Sequence, residues 1–160
     1  MTTTLADIMT TNVVTIDLDA TLRRVESDFD KHPFHHMVVT ERGKPVGIIS
    51  DRDILEARSP YIGTMSEQTR DTATMQRKVH QIMSRALISA TPATTAADAS
   101  MLLVKHGIGA LPVLDDRGHL VGIVSWRDLL KWFVKDLTPP TKSCGSTREC
   151  GTCGACDRAA

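Results

Sequence analysis

The sequence repeats itself once, and this repeat limits the folds that the chain can adopt. The segment VGIISDRD at residues 46–53 returns as VGIVSWRD at residues 121–128, 75 residues later. Ile8-Met9 returns as Ile82-Met83, with a shift of 74 residues. The units of solenoid proteins repeat roughly every 20–50 residues. A longer period indicates two small packed units related by pseudo-two-fold symmetry. Any feature repeated beyond the apolar core pattern is then a candidate for a duplicated site.

The length and charge of the chain narrow its class. A chain of 160 residues is about one domain in length, so the two repeats must share a core or pack face to face. Nineteen Lys and Arg balance nineteen Asp and Glu, and no global field attracts nucleic acid or an anionic membrane. No apolar run reaches the roughly 18 residues that cross a bilayer, and the N-terminus lacks the features of a signal peptide. We therefore expect a cytoplasmic protein that binds neither nucleic acid nor membrane.

Hydrophobic periodicity predicts an α/β fold in which each repeat has the order β-α-β-β-α. Two such repeats, each too small to bury its sheet alone, should pack together with pseudo-two-fold symmetry. In the first repeat we expect strands at 13–16, 37–40 and 46–49, a helix over 19–31, and a second helix capped by Asp51. In the second we expect strands at 87–89, 111–114 and 120–124, a helix from Thr95 to Gly107, and a last helix over 127–137.

Composition predicts the domain boundaries. The repeats span 5–56 and 80–135, and the segment between them, 57–79, is rich in Ser, Thr and charge, which predicts a linker with a helical turn near 66–75. The C-terminal 138–160 contains Thr, Pro, Gly, Ser and Cys. Such a composition cannot build a core, which predicts a flexible tail.

The repeated motifs resemble those of a known family. The Gly-Ile-Ile/Val-Ser-x-Arg-Asp block that closes each repeat, the opening Ile-Met, and GIGALPV at residues 107–113 resemble the cystathionine-β-synthase (CBS) domain. Two in tandem resemble a Bateman module, over roughly residues 5–135. The resemblance implies a regulatory, non-catalytic module that binds AMP, ADP, ATP or S-adenosylmethionine in clefts between the repeats, and that acts on a regulated protein which the sequence does not identify.

The closing block of each repeat also has a chemical logic. An Asp just inside a helix start, after a strand end, is placed to accept hydrogen bonds from both hydroxyls of a ribose, and the backbone N–H groups beside it are suited to phosphate. A Ser three residues earlier is a donor for a ribose or phosphate oxygen, and the neighbouring Arg offers a fork to phosphate. The residues predicted in these roles are Ser50, Arg52, Asp53, Ser125, Arg127 and Asp128.

Adenine needs an apolar slot and backbone edges, which the family resemblance implies the opposite repeat supplies. The implied residues are Ile88, Ile108, Gly109 and Ala110 facing Asp53, and Val14, Phe34, His35 and His36 facing Asp128. Bulky His where the backbone should meet adenine favours the Asp53 cleft as the binding site. The simpler alternative is structural, since an Asp in the first turn of a helix is common as a partner of the helix dipole.

Other functions find less support in the sequence. No nucleophile–base pair, metal-ligand cluster or Gly-rich phosphate loop appears in the repeats, so we expect no enzyme. His32, His35 and His36 are better explained by a surface or pH-responsive role than by metal ligation, because adjacent strand residues point to opposite faces. The main rival is an interaction or dimerisation module whose clefts stay empty. The apolar helix segment 129–134 predicts a homodimer.

All of the cysteines lie in the tail, at Cys144, Cys150, Cys153 and Cys156. Thiolates three residues apart in a Gly-rich segment can converge on one metal. The spacing resembles part of the bacterial ferredoxin pattern, which implies an iron–sulfur cluster, and zinc is the other candidate. A thiol redox sensor and a tail without a specific role are the remaining alternatives. We expect no cofactor in the repeats themselves.

Overall fold

The structure is a computed structural model that describes residues 3–137, and its mixed α/β fold confirms the predicted class. The helices are α1 (Leu5–Ile8), α2 (Leu22–Lys31), α3 (Asp51–Ala57), α4 (Thr69–Ala73), α5 (Ala96–His106) and α6 (Trp126–Leu137). The strands are β1 (Thr15–Asp17), β2 (His36–Glu41), β3 (Lys44–Ser50), β4 (Ala110–Leu114) and β5 (Leu120–Ser125). Short 3-10 turns lie at Thr74–Gln76 and Val79–Gln81.

The strands form two small sheets, one for each repeat. In the first sheet β1 is parallel to β2, and β2 is antiparallel to β3. In the second, β4 and β5 form an antiparallel pair. Arg42 and Gly43 join β2 to β3 with φ of 51° and 79°. Two consecutive positive φ values are typical of the tight turn whose twist matches a hairpin, and Gly adopts them without strain.

One predicted strand, at 87–89, is absent from the described residues. The N–H groups of Leu87 and Ile88 donate to the carbonyl groups two residues earlier, those of Arg85 and Ala86. These local bonds satisfy the donors that a strand would offer to the sheet. Only an isolated bridge remains, between Ala90 and Val113.

Two helix starts differ from the predicted ones. The prediction that Asp51 caps α3 was wrong, because Asp51 is the first helical residue and Ser50 is the cap. The helix predicted from 19 begins at Leu22, because Ala20 donates its N–H to the carbonyl of Asp17 in a preceding turn. Both errors have one cause. In each case a hydrogen bond just before the helix decides where it begins. The side chain of Ser50 caps α3, and the turn from Asp17 to Ala20 delays the start of α2.

The segment predicted as a linker packs partly into the core. The helical turn expected near 66–75 is present as α4 and the 3-10 turn after it. Met75 and Val79 are buried, and the buried carboxylate of Asp71 accepts a hydrogen bond from the Ser59 hydroxyl at 2.7 Å. The side chains that fix this segment are too few and too widely spaced to show as a periodic pattern.

The residues at the start of each repeat pack into the core of the other repeat. Leu5 of α1 is fully buried in the cluster around β4 and β5, and Val79 is fully buried in the cluster around β2 and β3. Thr10 exchanges two backbone hydrogen bonds of 3.0 Å with Ile123, and Ser84 exchanges two, of 3.0 and 3.1 Å, with Ile48. These exchanged segments close the two repeats into one unit.

Close packing of the exchanged segments depends on glycine. A Cβ atom on Gly47 would lie 2.7 Å from the carbonyl oxygen of Ser84, and one on Gly122 would lie 3.2 Å from that of Thr10. The repeated glycine of the closing block therefore has a structural reason, since the backbone of the other repeat's leading segment passes directly over it.

Candidate functional site: a cleft between the repeats

The first corner of the site lies where β3 passes into α3. The Ser50 hydroxyl and backbone N–H both donate to Oδ2 of Asp53, each at 2.7 Å. The N–H of Asp53 in turn donates to the Ser50 hydroxyl oxygen at 3.4 Å. This reciprocal arrangement is a capping box, which satisfies donors that a helix start leaves unpaired.

The second corner, where β5 passes into α6, has the same bonds from the serine to the aspartate. The Ser125 hydroxyl and N–H donate to Oδ2 of Asp128 at 2.6 and 2.9 Å. Lys131 Nζ lies 3.9 Å from Oδ1 of Asp128. Within residues 3–137, no hydrogen bond engages Oδ1 of Asp53. Each serine hydroxyl donates to its own Asp, whereas the second carboxylate oxygen lies outside these bonds in Asp53 and faces Lys131 in Asp128.

The residues that face these corners occupy equivalent positions in the two repeats. Asp51 N–H donates to the carbonyl of His35 at 3.2 Å, and Trp126 N–H donates to the carbonyl of Gly109 at 3.2 Å. His35 and Gly109 are therefore equivalent, as are Asp51 and Trp126.

The next residue of each hairpin extends the equivalence. His36 lies opposite Ser50 in the first sheet, and Ala110 lies opposite Ser125 in the second. The backbone of the site is thus two-fold symmetric. The side chains are not, because the first repeat has two histidines where the second has Gly and Ala.

The charged side chains of the two corners have different partners. In the first, His35 Nδ1 lies 2.6 Å from Oδ2 of Asp51. In the second, the Arg127 guanidinium lies over the Trp126 ring, 5.5 Å from its centroid. That cation–π contact orients Arg127 without neutralising it. Both side chains of the His35–Asp51 pair are nearly half exposed, so the pair contributes little to stability.

A single continuous cleft of about 850 Å³ joins the two corners. The sequence predicted two clefts, and the structure places both predicted residue sets on the same cleft. The predicted residues that line it are Val14, Phe34, His35, His36, Ser50, Arg52, Asp53, Ile88, Ile108, Gly109, Ala110, Ser125, Arg127 and Asp128. Their binding roles stay predictions.

Sequence reasoning missed three charged or aromatic residues of the cleft: Asp51, Trp126 and Lys131. For two of them a signal existed, because Asp51 and Trp126 fill the variable position inside the repeated Ser-x-Arg-Asp block. Lys131 lies one helical turn after Asp128, on the same face of α6.

His36 crosses from one repeat to the other. A Cβ atom on Gly109 would lie 2.6 Å from His36 Nε2 and 2.8 Å from Cε1. The imidazole therefore lies directly on the backbone of the second repeat, and a residue larger than glycine would require the ring to move. Gly109 also accepts a hydrogen bond from the N–H of Trp126, so the ring lies against the backbone that meets the start of α6.

The surroundings of His36 favour its neutral form. Burial lowers the pKa of His36, and the positive charges of His35 and Arg127 lower it further. The carboxylates of Asp51 and Asp53 oppose this effect without outweighing it. Burial raises the pKa of Asp51, but the hydrogen bond and charge of His35 outweigh it, so that carboxyl stays ionised below its usual range.

Residues 3–137 bring no three His, Cys, Asp or Glu side chains together in a group that could hold a metal ion. His32 stacks on Phe34 at 5.1 Å between ring centroids, whereas His35 bonds to Asp51. None of the described helices is long and apolar enough to span a bilayer. The predicted cysteine ligands lie outside the described residues.

Comparison with known proteins identifies the family. The CBS domain model matches residues 5–60 and 79–135. The chain belongs to the CBS domain family. A CBS domain-containing protein of Dictyostelium discoideum is 32% identical over 134 residues, which cover 82% of this chain and 92% of that protein.

Two further relatives add detail to the family match. The structure of the CBS domain pair of protein MJ0100 in complex with 5′-methylthioadenosine and S-adenosyl-L-methionine superposes with a TM-score of 0.72 and 25% identity, covering 85% of this chain and 99% of that one. The homoserine O-acetyltransferase of Methanococcoides burtonii is 31% identical over 128 residues, which are 79% of this chain and 23% of that enzyme.

Proposed function

We propose that this CBS pair is a regulatory module that binds an adenosine-containing ligand, AMP, ADP, ATP or S-adenosylmethionine, without turning it over. The observation that carries the proposal is the pair of equivalent corners on one cleft, each with an Asp that keeps a carboxylate oxygen free of its capping box. The cleft volume of about 850 Å³ suits a single small ligand, since such pockets measure about 300–1,000 Å³.

The lining of the cleft matches the parts of such a ligand. The half-buried apolar side chains of Val14, Phe34, Ile88 and Ile108 offer a slot for a planar base. Asp53 and Asp128 are acceptors for ribose hydroxyls. The MJ0100 domain pair, which shares the fold, was solved with two adenosine-containing ligands.

Cationic side chains suit the phosphate of a nucleotide. Arg52 and Arg127 line the cleft, and within residues 3–137 neither forms a salt bridge. A guanidinium without a carboxylate partner is available to bind a phosphate through two parallel hydrogen bonds.

A non-catalytic role fits the hydrogen bonds of the site. Nowhere in the described chain does a Ser or Thr hydroxyl bond to a histidine ring, the arrangement that activates a nucleophile. The cleft serines bond to their own Asp caps instead. The match to the acetyltransferase covers 23% of that enzyme, which is consistent with a CBS pair attached to a separate catalytic part.

A thermal-shift screen tests the proposal. Ligands that bind only the folded state raise the melting temperature by mass action, so AMP, ADP, ATP or S-adenosylmethionine should raise it at millimolar concentration. Recovery of the ligand unchanged by chromatography after incubation is the second expected result. A melting temperature that none of the four changes would favour the module with an empty cleft, and consumption of the ligand would show an enzyme.

We also propose that two copies of the chain associate through α5 and α6. The exposed side chains of Val104, Leu130 and Phe133, with Trp126 and the partly buried Trp132, border an apolar groove of about 280 Å³ between these helices. A two-fold dimer buries the same patch twice. Light scattering at micromolar concentration should give a dimeric mass, and Leu130→Lys should give a monomeric one. A monomeric mass for the parent protein would contradict the dimer.

The cysteines of the tail stay a separate proposal, an attachment point for zinc or an iron–sulfur cluster. Its basis is that all four lie within residues 144–156. Thiols must ionise to bind a metal, so loading should release protons. Elemental analysis after anaerobic purification, with a visible spectrum, distinguishes zinc from a cluster. Four freely titrating thiols and no metal would contradict the proposal.

A further inference from the structure

We propose that His36 takes up a proton when a phosphorylated ligand enters the cleft, so that the module binds nucleotides more tightly as the pH falls. The inference rests on the proposed function, and it deepens it by selecting the phosphorylated members of the ligand class. Ligands without a phosphate would gain nothing from this residue.

The position of His36 is the first support. The ring lies at the seam of the two repeats, against Gly109, and lines the same cleft as the two corners. Its equivalent in the second repeat is Ala110, which has no titratable group. The cleft therefore has one imidazole on its two-fold seam, and the His35 ring beside it is already engaged by Asp51.

Charged groups of both signs surround His36, and their combined effect with burial disfavours its protonation. Asp51 and Asp53 face it from α3, His35 precedes it, and Arg127 faces it from α6. Lys131 and Asp128 of α6 line the same cleft, 3.9 Å apart. The carboxylates of Asp51 and Asp53 both favour the protonated ring, but the burial of the imidazole outweighs them.

A phosphate changes this balance. A phosphate monoester carries about −1.5 to −2 charges near pH 7. Bound to Arg127, it would neutralise a cation that disfavours protonation of His36 and add an anion that favours it. Both changes raise the pKa of His36 in the complex above its lowered value in the free protein.

The direction of the pH effect follows. Between the two pKa values, the free protein holds His36 neutral and the complex holds it protonated, so binding takes up a proton. Affinity for a phosphorylated ligand therefore rises as the pH falls through this window. Each unit of difference between the bound and free pKa corresponds to a tenfold gain in affinity.

Calorimetry in buffers of different ionisation enthalpy measures this proton directly. We would titrate AMP and adenosine into the parent protein, His36→Ala and His119→Ala near pH 7. His36→Ala copies the residue at the equivalent position of the second repeat. His119→Ala is the matched control, because His119 lies in the exposed turn between β4 and β5, bonded to Asp115.

The expected result is proton uptake with AMP in the parent and in His119→Ala, a smaller uptake in His36→Ala, and none with adenosine. The second ionisation of the phosphate itself is near pH 6 or so, and comparison with His36→Ala removes its contribution. If His36→Ala does not fold, His36→Gln keeps the size of the side chain without its titration. The histidine ring resonances of the parent, followed by NMR with and without AMP, give an independent measurement of the same shift.

The outcomes separate the inference from the function on which it rests. If no adenosine compound binds, the proposed function fails. If AMP binds with equal proton uptake in the parent and in His36→Ala, the inference is overturned and the function stands. Binding of adenosine or S-adenosylmethionine without binding of AMP would also overturn it, because the ligand would then carry no phosphate.

Discussion

The corner at α3 and the corner at α6 share the Ser, Arg and Asp of the closing block and differ in the side chains around them. His35 pairs with Asp51 in the first, whereas Gly109 and Trp126 hold the same positions in the second. In both corners the serine hydroxyl and N–H donate to Oδ2 of the aspartate at nearly the same distances. The comparison teaches that the duplicated Ser and Asp form equivalent helix starts, while the unduplicated residues make the two halves of the cleft chemically different.

The largest expected effect separates the two aspartates. Asp53→Ala should abolish the tighter ligand binding, because a lost charge-assisted contact costs about 1.5–3 kcal/mol, or roughly ten- to hundredfold in affinity. Asp128→Ala should weaken binding less, since Oδ1 of Asp128 already faces Lys131 at 3.9 Å. Both variants lose an equivalent cap, so each controls for the other. Equal affinity of Asp53→Ala and the parent in calorimetry would contradict the assignment.

The contact between His36 and Gly109 predicts the next effect. Gly109→Ala places a methyl group 2.6 Å from His36 Nε2, so the ring must shift, and a side chain pushed off its rotamer costs about 0.5–1.5 kcal/mol. We expect a lower denaturation midpoint for Gly109→Ala, and recovery in the double variant with His36→Ala, because the second change removes the ring. A double variant that is no more stable than Gly109→Ala alone would show that the ring does not occupy this position.

Loss of the capping serines should have an equal effect in the two corners. Ser50→Ala and Ser125→Ala each remove a hydroxyl that bonds to Asp Oδ2. A lost helix cap typically costs about 1 kcal/mol. Chemical denaturation should therefore give similar losses in the free energy of unfolding. A large loss for one serine alone would refute the equivalence of the corners.

The smallest expected effect is the pH dependence of stability. His36 has a lowered pKa in the folded state, so the unfolded chain binds more protons near pH 6 and stability rises with pH. This contribution is complete above the ordinary pKa of 6.5 and is lost as the pH falls through it. Asp51, whose pKa is also lowered, adds a loss near and below pH 3.8. Melting curves of His36→Ala should show a flatter slope between pH 5 and 7 or so than those of the parent.

The sequence predicted the elements whose signals are local. The hairpins, α5 with its cap at Thr95, and its end at Gly107 all follow from periodicity and cap residues, and the structure confirms them. The exchange of leading segments was not predictable in this way. It depends on contacts such as Leu5 with the second core, across about 100 residues of sequence, for which a single chain offers no periodic signal.

The site shows the same division. Both copies of the repeated Ser-x-Arg-Asp block line the cleft, and their binding roles stay predictions. The block did not indicate that each serine hydroxyl bonds to its own Asp, because a capping box and a ligand contact use the same residue types. Nor did it indicate that His36 reaches Gly109, since that contact depends on how the two repeats face each other.

Titration calorimetry with AMP, ATP and S-adenosylmethionine, on the parent protein and on Asp53→Ala, tests the central claim most directly. The account predicts saturable binding of at least one of these ligands to the parent, and a ten- to hundredfold loss or so in Asp53→Ala with the fold intact by circular dichroism. The absence of binding heat in two buffers, together with an unchanged melting temperature for every ligand, would contradict it.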